Sequence, residues 1–235
     1  MDAYILSLQI GLPMALVSDI NDGQARQWTS AIGKMPAPGK IALGMTHLAG
    51  DGQADLKHHG GPDKAVCCYP AAHYPGWYAL LGRAAQTFPY GAFGENFTVD
   101  SLTEAQVCIG DIYCIGEAVV QVSQPRMPCW KMGRKWNKEE LPGEMIARSQ
   151  TGWYLRVLEP GEVSAGDALT LRERPLPEWT IARLNHAMYV DKTNAALAYE
   201  LGRLPLLAEA WRSPFRRRAG LIAYHARREK TGAAD

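Results

Sequence analysis

Cys129 has the residue type and the surroundings of a group that does chemistry. It follows Pro125-Arg126-Met127-Pro128, and the two prolines restrict the backbone in front of it. Basic residues lie near it in sequence: Arg126, Lys131, Arg134 and Lys135. A positive potential favours the thiolate, which is the form of cysteine that attacks electrophiles or binds soft metals. The alternative is a buried cysteine that packs as a small hydrophobic residue, and the local sequence leaves both interpretations open.

A second polar stretch is His58-His59-Gly60-Gly61-Pro62-Asp63-Lys64. Paired glycines let backbone N–H groups approach a ligand and form an anion-binding nest, to which His59 and Lys64 would add donors. The spacing is not that of a Walker phosphate loop, so a glycine-rich turn with solvent-facing side chains is the alternative. Adjacent histidines on an extended chain point to opposite sides, which makes His58 and His59 a poor zinc pair.

A third stretch is Phe93-Gly94-Glu95-Asn96-Phe97, in which two aromatic residues flank polar ones. Asn96 has the donor and the acceptor needed to bind a heterocycle, and Glu95 can accept a hydrogen bond. Taken alone, the stretch predicts a turn at a strand end. The Gly-Asp pairs at 110–111 and 166–167 also predict tight turns, in which glycine supplies unusual dihedral angles and aspartate caps its own backbone.

The composition restricts the class of protein. A chain of 235 residues can form one large domain or a domain with a small appendage, and a hydrophobic content of 47% supports a packed core. The 25 basic and 24 acidic residues leave a formal charge of +1, which argues against nucleic acid as a partner. Five cysteines without a C-x-x-C pair predict reduced thiols and a cytoplasmic location.

The uncharged run from Ala3 to Ser18 is not predicted to be a signal peptide or a membrane anchor. Asp2 occupies the place of a basic leader region, Pro13 interrupts the run, and the run is too short to span a bilayer. Residues 4–11 are better explained as an opening β-strand that ends in a Gly-Leu-Pro turn. We therefore expect no association with a membrane.

Short β-rich runs separated by glycines predict a barrel or a sandwich. The clearest runs are Asp111–Ile115, Ala118–Val122, Tyr154–Leu158 and Ala168–Leu171. One helix is predicted inside this region, from Ala71 to Leu81. The pattern changes to helical after Pro175 and Pro177, and we predict a domain over residues 1–172 and a helical subdomain over residues 173–235.

Helix start signals define the predicted elements of this tail. Thr180 caps a helix over 181–188, Asp191 or Thr193 starts a second that ends at Leu201, and the chain from Leu206 onward contains a third helix with room for a fourth. The last segment carries a basic strip: Arg212, Arg216, Arg217, Arg218, Arg227, Arg228 and Lys230. A solvated helix face is favoured for this strip over a surface that docks an acidic electron-transfer protein.

In chain order, six segments resemble the MOSC domain proteins of the bacterial YiiM type. They are residues 59–65 (His-Gly-Gly-Pro-Asp-Lys-Ala), 93–96 (Phe-Gly-Glu-Asn), 109–111 (Ile-Gly-Asp), 121–129 (Gln-Val-Ser-Gln-Pro-Arg-Met-Pro-Cys), 152–154 (Gly-Trp-Tyr) and 163–167 (Val-Ser-Ala-Gly-Asp). The resemblance covers nearly the whole chain, and the tail is similar to the three-helix subdomain of that group.

The resemblance implies a fold that is mainly β with α: a MOSC-type β-barrel with interspersed helices, followed by a small C-terminal helical subdomain. It also implies that the barrel holds a molybdenum–molybdopterin cofactor (Moco), with Cys129 as the protein ligand to the metal. By motif position it makes other residues candidates to line the cofactor pocket: His59, Gly60, Gly61, Asp63, Lys64, Asn96, Ser123, Gln124 and Arg126.

The activity that the resemblance implies is the reduction of N-hydroxylated compounds, such as hydroxylaminopurines, hydroxylamines or amidoximes, to amines. The protein would bind and orient the substrate and supply protons. His59 is the first candidate proton donor because histidine titrates near neutral pH, and Glu95 is the second. The sequence lacks cysteine spacing for an iron–sulfur cluster and a dinucleotide fingerprint, so a separate flavin or iron–sulfur reductase is expected to deliver electrons. The sequence is also compatible with a homodimer.

Two other classes of function remain open at this stage. MOSC domains also occur joined to cofactor sulfurases, so Cys129 could hold a persulfide or anchor a cofactor in transit instead of performing turnover. A cysteine hydrolase that pairs Cys129 with a histidine is the second alternative, although no oxyanion-hole motif favours it.

Overall fold

A closed β-barrel forms the centre of the protein in the computed structural model, which describes residues 3–19, 25–84 and 88–231. The strands are β1 (Ala3–Ile10), β2 (Met14–Asp19), β3 (Ala25–Ser30), β4 (Met35–Pro36), β5 (Ile41–Leu43), β6 (Val66–Pro70), β7 (Phe97–Val99), β8 (Ile112–Ile115), β9 (Ala118–Pro125), β10 (Trp153–Glu159), β11 (Gly161–Val163) and β12 (Ala168–Glu173). The barrel order is β12-β8-β9-β10-β6-β7-β1, and β1 pairs back to β12 through Ala3 and Tyr4.

Helices lie between the strands and after them. They are α1 (Leu56–His59), α2 (Tyr74–Leu81), α3 (Trp130–Trp136), α4 (Leu141–Ala147), α5 (Ile181–Tyr189), α6 (Ala195–Leu201) and α7 (Glu209–Thr231). Short 3₁₀ turns cover Pro62–Lys64 and Ala71–His73. The predicted fold class, a barrel with interspersed helices and a helical tail, is confirmed. Among the described residues, no helix is both long enough and apolar enough to cross a bilayer.

The strand β9 shows why the barrel and the tail pack as one body. All eight of its residues are buried, because β8 and β10 flank it and the tail covers its outer side. The backbone N–H of Ala208 donates to the carbonyl of Ser123 at 2.9 Å. One hydrophobic cluster runs from barrel residues such as Val120 to Trp211 and Phe215 of α7. The division at residue 172 stays a prediction, since β12 ends at Glu173 and the core continues across that point.

A second, largely aromatic cluster packs beside the barrel under α2, α3 and α4. Its buried members are Trp28, Ile32, Tyr69, Tyr74, Trp77, Phe88, Ala92, Phe93, Met132, Leu141 and Met145. Trp28 comes from the hairpin of β2 and β3, and Met132 comes from α3. The sequence predictions included neither this hairpin nor α3 and α4. These elements hold the chain segments on either side of Cys129.

Most of the predicted elements appear in the structure with small shifts at their ends. The helix predicted over 71–81 is a 3₁₀ turn followed by α2. Thr180 caps α5 as predicted, because its hydroxyl accepts from the N–H of Arg183 at 3.1 Å. The prediction that Asp191 or Thr193 starts the next helix was wrong by at least one residue. Asn194 is the cap, and its side chain accepts from the N–H of Leu197.

Between Leu206 and Thr231, the last described residue, the tail contains one helix, α7, and no fourth helix follows it there. Pro214 lies inside α7 and does not divide it. Proline removes one backbone hydrogen bond from a helix interior, and the buried side chains of Trp211 and Phe215 on the same helix face offset that loss.

The described part of the predicted basic strip is engaged within the tail. The Arg218 guanidinium donates to the carbonyls of Ala187 and Met188 at 2.7 and 2.8 Å, at the C-terminal end of α5. Arg212 and Arg216 pair with Glu209. The side chains of the strip from Arg227 onward lie outside the described residues. The visible part therefore acts as helix capping and ion pairing.

Both Gly-Asp turns have the geometry that the sequence predicts. Gly110 and Gly166 have φ of 82° and 94°, in the left-handed region that favours glycine. The Asp111 carboxylate accepts from the N–H of Cys108, and the Asp167 carboxylate accepts from the N–H of Ser164. These residues are structural, as expected.

Gly152 is a position where the fold requires glycine, and we predict a large loss of stability for Gly152→Ala. Its φ is 73°, and a Cβ there would collide with the carbonyl oxygen of Cys68. Left-handed strain and overpacking together should cost about 2–4 kcal/mol of unfolding free energy. Urea denaturation followed by circular dichroism measures this cost.

The matched control is Gly76→Ala in α2, where a Cβ meets open space. Alanine is the better helix former, so this variant should be neutral or more stable by up to about 1 kcal/mol. Equal stability of the two variants would contradict the account of Gly152.

Candidate functional site

Cys129 lies where two clefts meet, on the loop between β9 and α3. Its backbone is extended (φ −108°, ψ 158°) and it is the residue just before α3. The thiol is free and half-buried. Six residues line both clefts: Asp55, His59, Lys64, Cys129, Lys131 and Tyr154. The space in and in front of the first cleft is about 580 Å³ and that of the second about 1500 Å³, with open solvent at their mouths included.

The first cleft is rich in positive charge. Its basic lining residues are Lys34, His59, Lys64, Arg126 and Lys131, and its acidic lining residue among the described ones is Asp55. Polar and small groups of Ser30, Gln53, Cys67, Gly94 and Asn96 complete much of the wall. A concave surface with several cations and few carboxylates is suited to an anionic ligand.

Arg126 provides the strongest local indication of a missing ligand. Its side chain is only 7% exposed, and its Nη2 donates to the carbonyl of Phe93. Its Nη1 is buried and has no hydrogen-bond partner. A buried guanidinium nitrogen without a partner is costly, because desolvation is not compensated. Since Arg126 lines the first cleft, a bound anion there would supply the missing acceptor.

His59 is neutral at pH 7 in this structure. Burial lowers its pKa most, followed by the charges of Arg126, Lys131 and Lys64, and together they bring the pKa to about 4. The sequence argument for His59 as a proton donor assumed titration near neutrality. The structure changes that premise: without an anion in the cleft, the imidazole at pH 7 can accept a proton but has none in excess to give.

Lys34 is a buried cation that the sequence argument missed. Its side chain is 7% exposed and pairs with Asp51, which is fully buried. Burial lowers the pKa of Lys34, and Asp51 opposes that shift. The other oxygen of Asp51 accepts from Asn96 Nδ2 at 2.9 Å. Asn96 Oδ1 in turn accepts from the N–H of Cys67 at 3.1 Å.

Asn96 therefore lines the cleft but already uses its amide. Besides those two bonds, its Nδ2 donates to the carbonyl of Gln9 at 3.1 Å. Its position agrees with the prediction of a cofactor-binding residue, whereas its hydrogen bonds serve to fix the wall that carries Lys34 and Cys67. Both Nδ2 hydrogens are used, so a heterocycle contact that keeps these bonds would have to donate to Oδ1.

Glu95 does not face the cleft as a catalytic acid would. Its carboxylate is completely buried and accepts from the hydroxyls of Tyr74 and Thr98 and from the N–H groups of Gly91 and Phe93. It is absent from the residues that line either cleft. Its position departs from the predicted role of proton donor. It holds the loop over 91–96 whose Phe93 carbonyl binds Arg126.

The glycine-rich loop places two of its five predicted residues in the cleft. His59 and Lys64 line it, and Lys64 Nζ donates to the carbonyl of His58 at 2.7 Å. Gly60 and Gly61 shape the turn, with φ of 93° at Gly61. Asp63 faces away and pairs with Arg156 of β10 at 2.8 Å. Asp63 therefore anchors the loop to the barrel.

Ser123 and Gln124 lie near the C-terminal end of β9, just before Pro125. The Ser123 hydroxyl is buried and lies 2.6 Å from the carbonyl of Asp63 and 3.0 Å from that of Tyr154, so it joins the glycine loop to the barrel. Gln124 lines the second cleft, and its Oε1 is buried without a partner. Of the two, only Gln124 has an atom available to a ligand.

The four cations near Cys129 in sequence separate in space. Arg126 and Lys131 share the first cleft with the thiol. The Lys135 ammonium donates to the carbonyls of Ile32 and Gly91, and burial lowers its pKa to about 8. The Arg134 guanidinium lies over the Trp28 and Trp130 rings. These contacts occupy both side chains, and neither residue lines either cleft.

Lining residues that sequence reasoning missed include Lys34, Cys67 and Asp55, while Tyr154 had been noted only within the Gly-Trp-Tyr segment. Tyr154 lies on β10 next to Gln124 of β9, and burial raises its pKa. The local sequence does not mark Lys34 as a site residue. The chain before β4 reaches the cleft because β4 pairs with β1.

A closed barrel with a helical tail, in which a half-buried cysteine follows a barrel strand at a basic cleft, defines a MOSC-type domain with a helical extension. The chain belongs to the MOSC domain family. The MOSC domain model matches residues 55–170, and the model of the YiiM-like, 3-alpha helix domain matches residues 179–218. The family predicted from the six sequence segments is confirmed.

Relatives with similar sequences come from bacteria and a fungus. The uncharacterized protein YflK of Bacillus subtilis is 43% identical over 211 residues, which cover 90% of this chain and 92% of that protein. Protein YiiM of Escherichia coli is 43% identical over 145 residues, or 62% of this chain and 65% of that protein. A protein of Gibberella moniliformis named "Reductase" is 34% identical over 179 residues, which cover 76% of this chain and 32% of that protein.

Solved structures of YiiM proteins have the same architecture. The crystal structure of YiiM from Geobacillus stearothermophilus superposes with a TM-score of 0.76 at 37% identity and covers 92% of this chain and 99% of its own. YiiM from Escherichia coli superposes with a TM-score of 0.71 at 30% identity, over 87% and 92% of the two chains.

MOSC domains are generally associated with binding of the molybdenum cofactor, and the residues present here fit that group. Among the described residues, no three histidine, cysteine, aspartate or glutamate side chains converge as a metal site. A metal at Cys129 would therefore need its other ligands from a cofactor, as a dithiolene provides. The unpartnered Arg126 Nη1 and the neighbouring lysines fit a phosphate group.

We predict that the His59 imidazole in cofactor-free protein titrates with a midpoint near pH 4, measured by NMR of the ring nitrogens. A lowered pKa means that the folded state holds the neutral form, so stability gained from His59 is present above its unfolded pKa of about 6.5 and decreases as the pH falls toward 4.

Lys131→Gln removes one of the three cations that lower this pKa and should raise the midpoint. Inorganic phosphate bound beside His59 should raise it further. A midpoint near 6.5 in the free protein, unchanged by Lys131→Gln, would contradict the electrostatic description of the cleft.

Proposed function

We propose that this protein is a molybdenum cofactor-dependent reductase of N-hydroxylated compounds, with Cys129 as the protein ligand to the metal. One observation carries the proposal: a half-buried free thiol shares a cleft with a buried guanidinium whose Nη1 has no partner. Family membership and the name of the fungal relative support a reductive activity. Hydroxylaminopurines, hydroxylamines and amidoximes are the substrate classes proposed.

The reaction breaks one N–O bond. An N-hydroxylated compound R–NH–OH takes up two electrons and two protons to give R–NH₂ and water. When bound, the cofactor supplies the two-electron chemistry at its metal. The chain has to bind the cofactor, orient the substrate and deliver protons to the oxygen that leaves.

Cofactor retention is assigned to the thiol and to the cations of the first cleft. A thiolate suits a thiophilic, high-valent metal, and Cys129 shares its cleft with Arg126 and Lys131. Lys34, Lys64 and Arg126 would neutralise a phosphate. Binding an anion would also satisfy Arg126 Nη1, so the same contact that holds the cofactor would give this buried nitrogen an acceptor that the protein does not supply.

Proton delivery is assigned to His59 as a relay. A neutral imidazole accepts a proton from solvent at one nitrogen and gives one up at the other, and a bound phosphate would raise its pKa from about 4 toward neutrality. The Lys34 and Lys64 ammonium groups line the same cleft and can donate hydrogen bonds to a leaving oxygen.

The electrons are proposed to come from a separate flavin or iron–sulfur reductase. The described cysteines are free and dispersed over the barrel, at positions 67, 68, 108, 114 and 129, which does not fit an iron–sulfur cluster. We further propose that the protein works in the cytoplasm, where its thiols stay reduced. A homodimer is compatible with this scheme and is not required by it.

We expect Cys129→Ser to lose molybdenum and activity when the protein is purified from a host that makes the cofactor. Serine lacks the thiolate that a soft metal requires. Elemental analysis of molybdenum per chain and reduction of 6-hydroxylaminopurine with a chemical electron donor measure the two effects. The matched control is Cys114→Ser, since Cys114 is partly exposed on β8 and lines neither cleft.

The outcomes separate the remaining functions. Wild type with about one molybdenum per chain and activity, both lost only in Cys129→Ser, supports the reductase. Wild type that carries a persulfide on Cys129, or that binds the cofactor without turnover, would replace the reductase by a carrier. An acyl-enzyme on Cys129, detected by mass after reaction with an acyl electrophile, would favour a hydrolase.

Lys64→Met should weaken cofactor retention about tenfold, because one charge-assisted contact to a phosphate is removed. The pterin content after extended dialysis measures retention. Lys192→Met is the charge-matched control: Lys192 is exposed on the connection between α5 and α6 and lines neither cleft. Equal pterin loss in both variants would show that net charge, and not the cleft, governs retention.

A further inference from the structure

Trp130 is a large aromatic side chain exposed directly beside the candidate metal ligand. It is 57% exposed, follows Cys129 in sequence, and lines the second cleft together with Trp28, Met127 and Lys131. Tryptophan is mostly buried on average in folded proteins. An exposed indole at the mouth of a cleft therefore calls for a ligand or a partner that covers it.

The Trp130 ring has two cations and one aromatic ring beside it, and the Lys131 ammonium is 5.9 Å from its centroid. The Arg134 guanidinium lies 4.6 Å from the Trp130 ring centroid and 5.9 Å from that of Trp28. The two rings are 6.0 Å apart at an interplanar angle of 52°, and Trp28 is buried in the aromatic cluster. A cation–π contact and an aromatic neighbour restrict the indole, so it is preorganised before any ligand arrives.

The second cleft has the surroundings of a site for a flat ring. Met127 and Pro128 contribute apolar surface next to the indole, and Gln124 contributes a buried Oε1 that has no partner. An amide oxygen of this kind accepts from an exocyclic amine or a ring N–H. A base stacked on an aromatic side chain gains binding free energy from the contact of the two flat rings. A small aliphatic group would gain little from stacking on the indole, because it has no flat ring.

We infer that Trp130 is a specificity-determining residue: it stacks on the planar heteroaromatic part of the substrate and selects such compounds over small aliphatic hydroxylamines. The inference rests on the proposed function for the reaction itself. Trp130 and Cys129 line the same cleft, so a ring stacked on the indole would lie in the cleft that also contains the thiol.

A protein partner is the competing occupant for the exposed indole. The surroundings favour the small planar ligand, because the ring lines a concave cleft together with the half-buried side chains of Tyr154 and Cys129. The separate reductase becomes an outcome of the test below.

The test measures binding of adenine, an unreactive planar purine, to protein purified from a cofactor-competent host, by isothermal titration calorimetry. Trp130→Ala should weaken adenine binding at least tenfold, and Trp130→Phe should weaken it about threefold or less because a ring remains. The matched control is Tyr199→Ala. Tyr199 is 56% exposed on α6 and also carries a cation–π contact, from Arg203, but it lies outside both clefts.

Turnover gives a second, separate readout. With a chemical electron donor, Trp130→Ala should lower kcat/KM for 6-hydroxylaminopurine at least tenfold and change that for N-methylhydroxylamine less than twofold. Unchanged adenine affinity, or equal loss for both substrates, would overturn the inference. Loss of activity only when the reductase replaces the chemical donor would assign Trp130 to the partner surface instead.

The two proposals fail in different ways. Adenine binding requires no turnover, so Trp130-dependent binding by a protein that does not reduce hydroxylamines would refute the proposed reaction and keep the stacking site. Full reductase activity with adenine affinity independent of Trp130 would refute the stacking site and keep the reaction.

Discussion

The buried charge of Arg126 is the interaction on which the rest of the site depends. Its backbone N–H donates to the Gly152 carbonyl and its Nη2 to that of Phe93, so one residue joins the end of β9, the start of β10 and the loop before β7. Nη1 remains without a partner. The same charge lowers the pKa of His59, after burial, and opposes protonation of Lys34 and Lys135. A buried cation of this kind is stable only because the surrounding fold cannot relax around it, and it makes the cleft receptive to an anion.

Two hydrophobic clusters supply the rigidity that this charge requires. The barrel cluster extends into the tail, and the aromatic cluster lies under α2, α3 and α4. The chain leaves the barrel cluster at the end of β9 and passes through Cys129. It then enters the aromatic cluster with α3, whose Met132 is buried. Ile32 and Trp28 of the aromatic cluster line the first and the second cleft, so the packing of that cluster fixes part of each wall.

Several parts of this arrangement were predictable from sequence. Glycine-bounded β runs predicted β1, β8, β9, β10 and β12, and Thr180 marked the start of α5. Cys129, His59, Lys64 and Arg126 could be identified because their segments have local signatures. Glu95 and Asp63 had the same local signals but lie outside the cleft lining, with their carboxylates engaged by Tyr74 and Arg156 among others. Which way a polar side chain on a turn points depends on distant partners, and sequence spacing carries no information about them.

The sequence by itself determined the family, the barrel with its helical tail and the cysteine at the end of β9, because strand periodicity, turn residues and ordered motifs are local properties. Only the tertiary structure decided that Lys34 pairs with Asp51 at the cleft, that Arg134 lies over the Trp130 ring, and that the pKa of His59 is lowered to about 4. Each of these depends on contacts between residues far apart in the chain and on how much water the fold removes. Burial and long-range charge set them, and both arise only when the barrel closes.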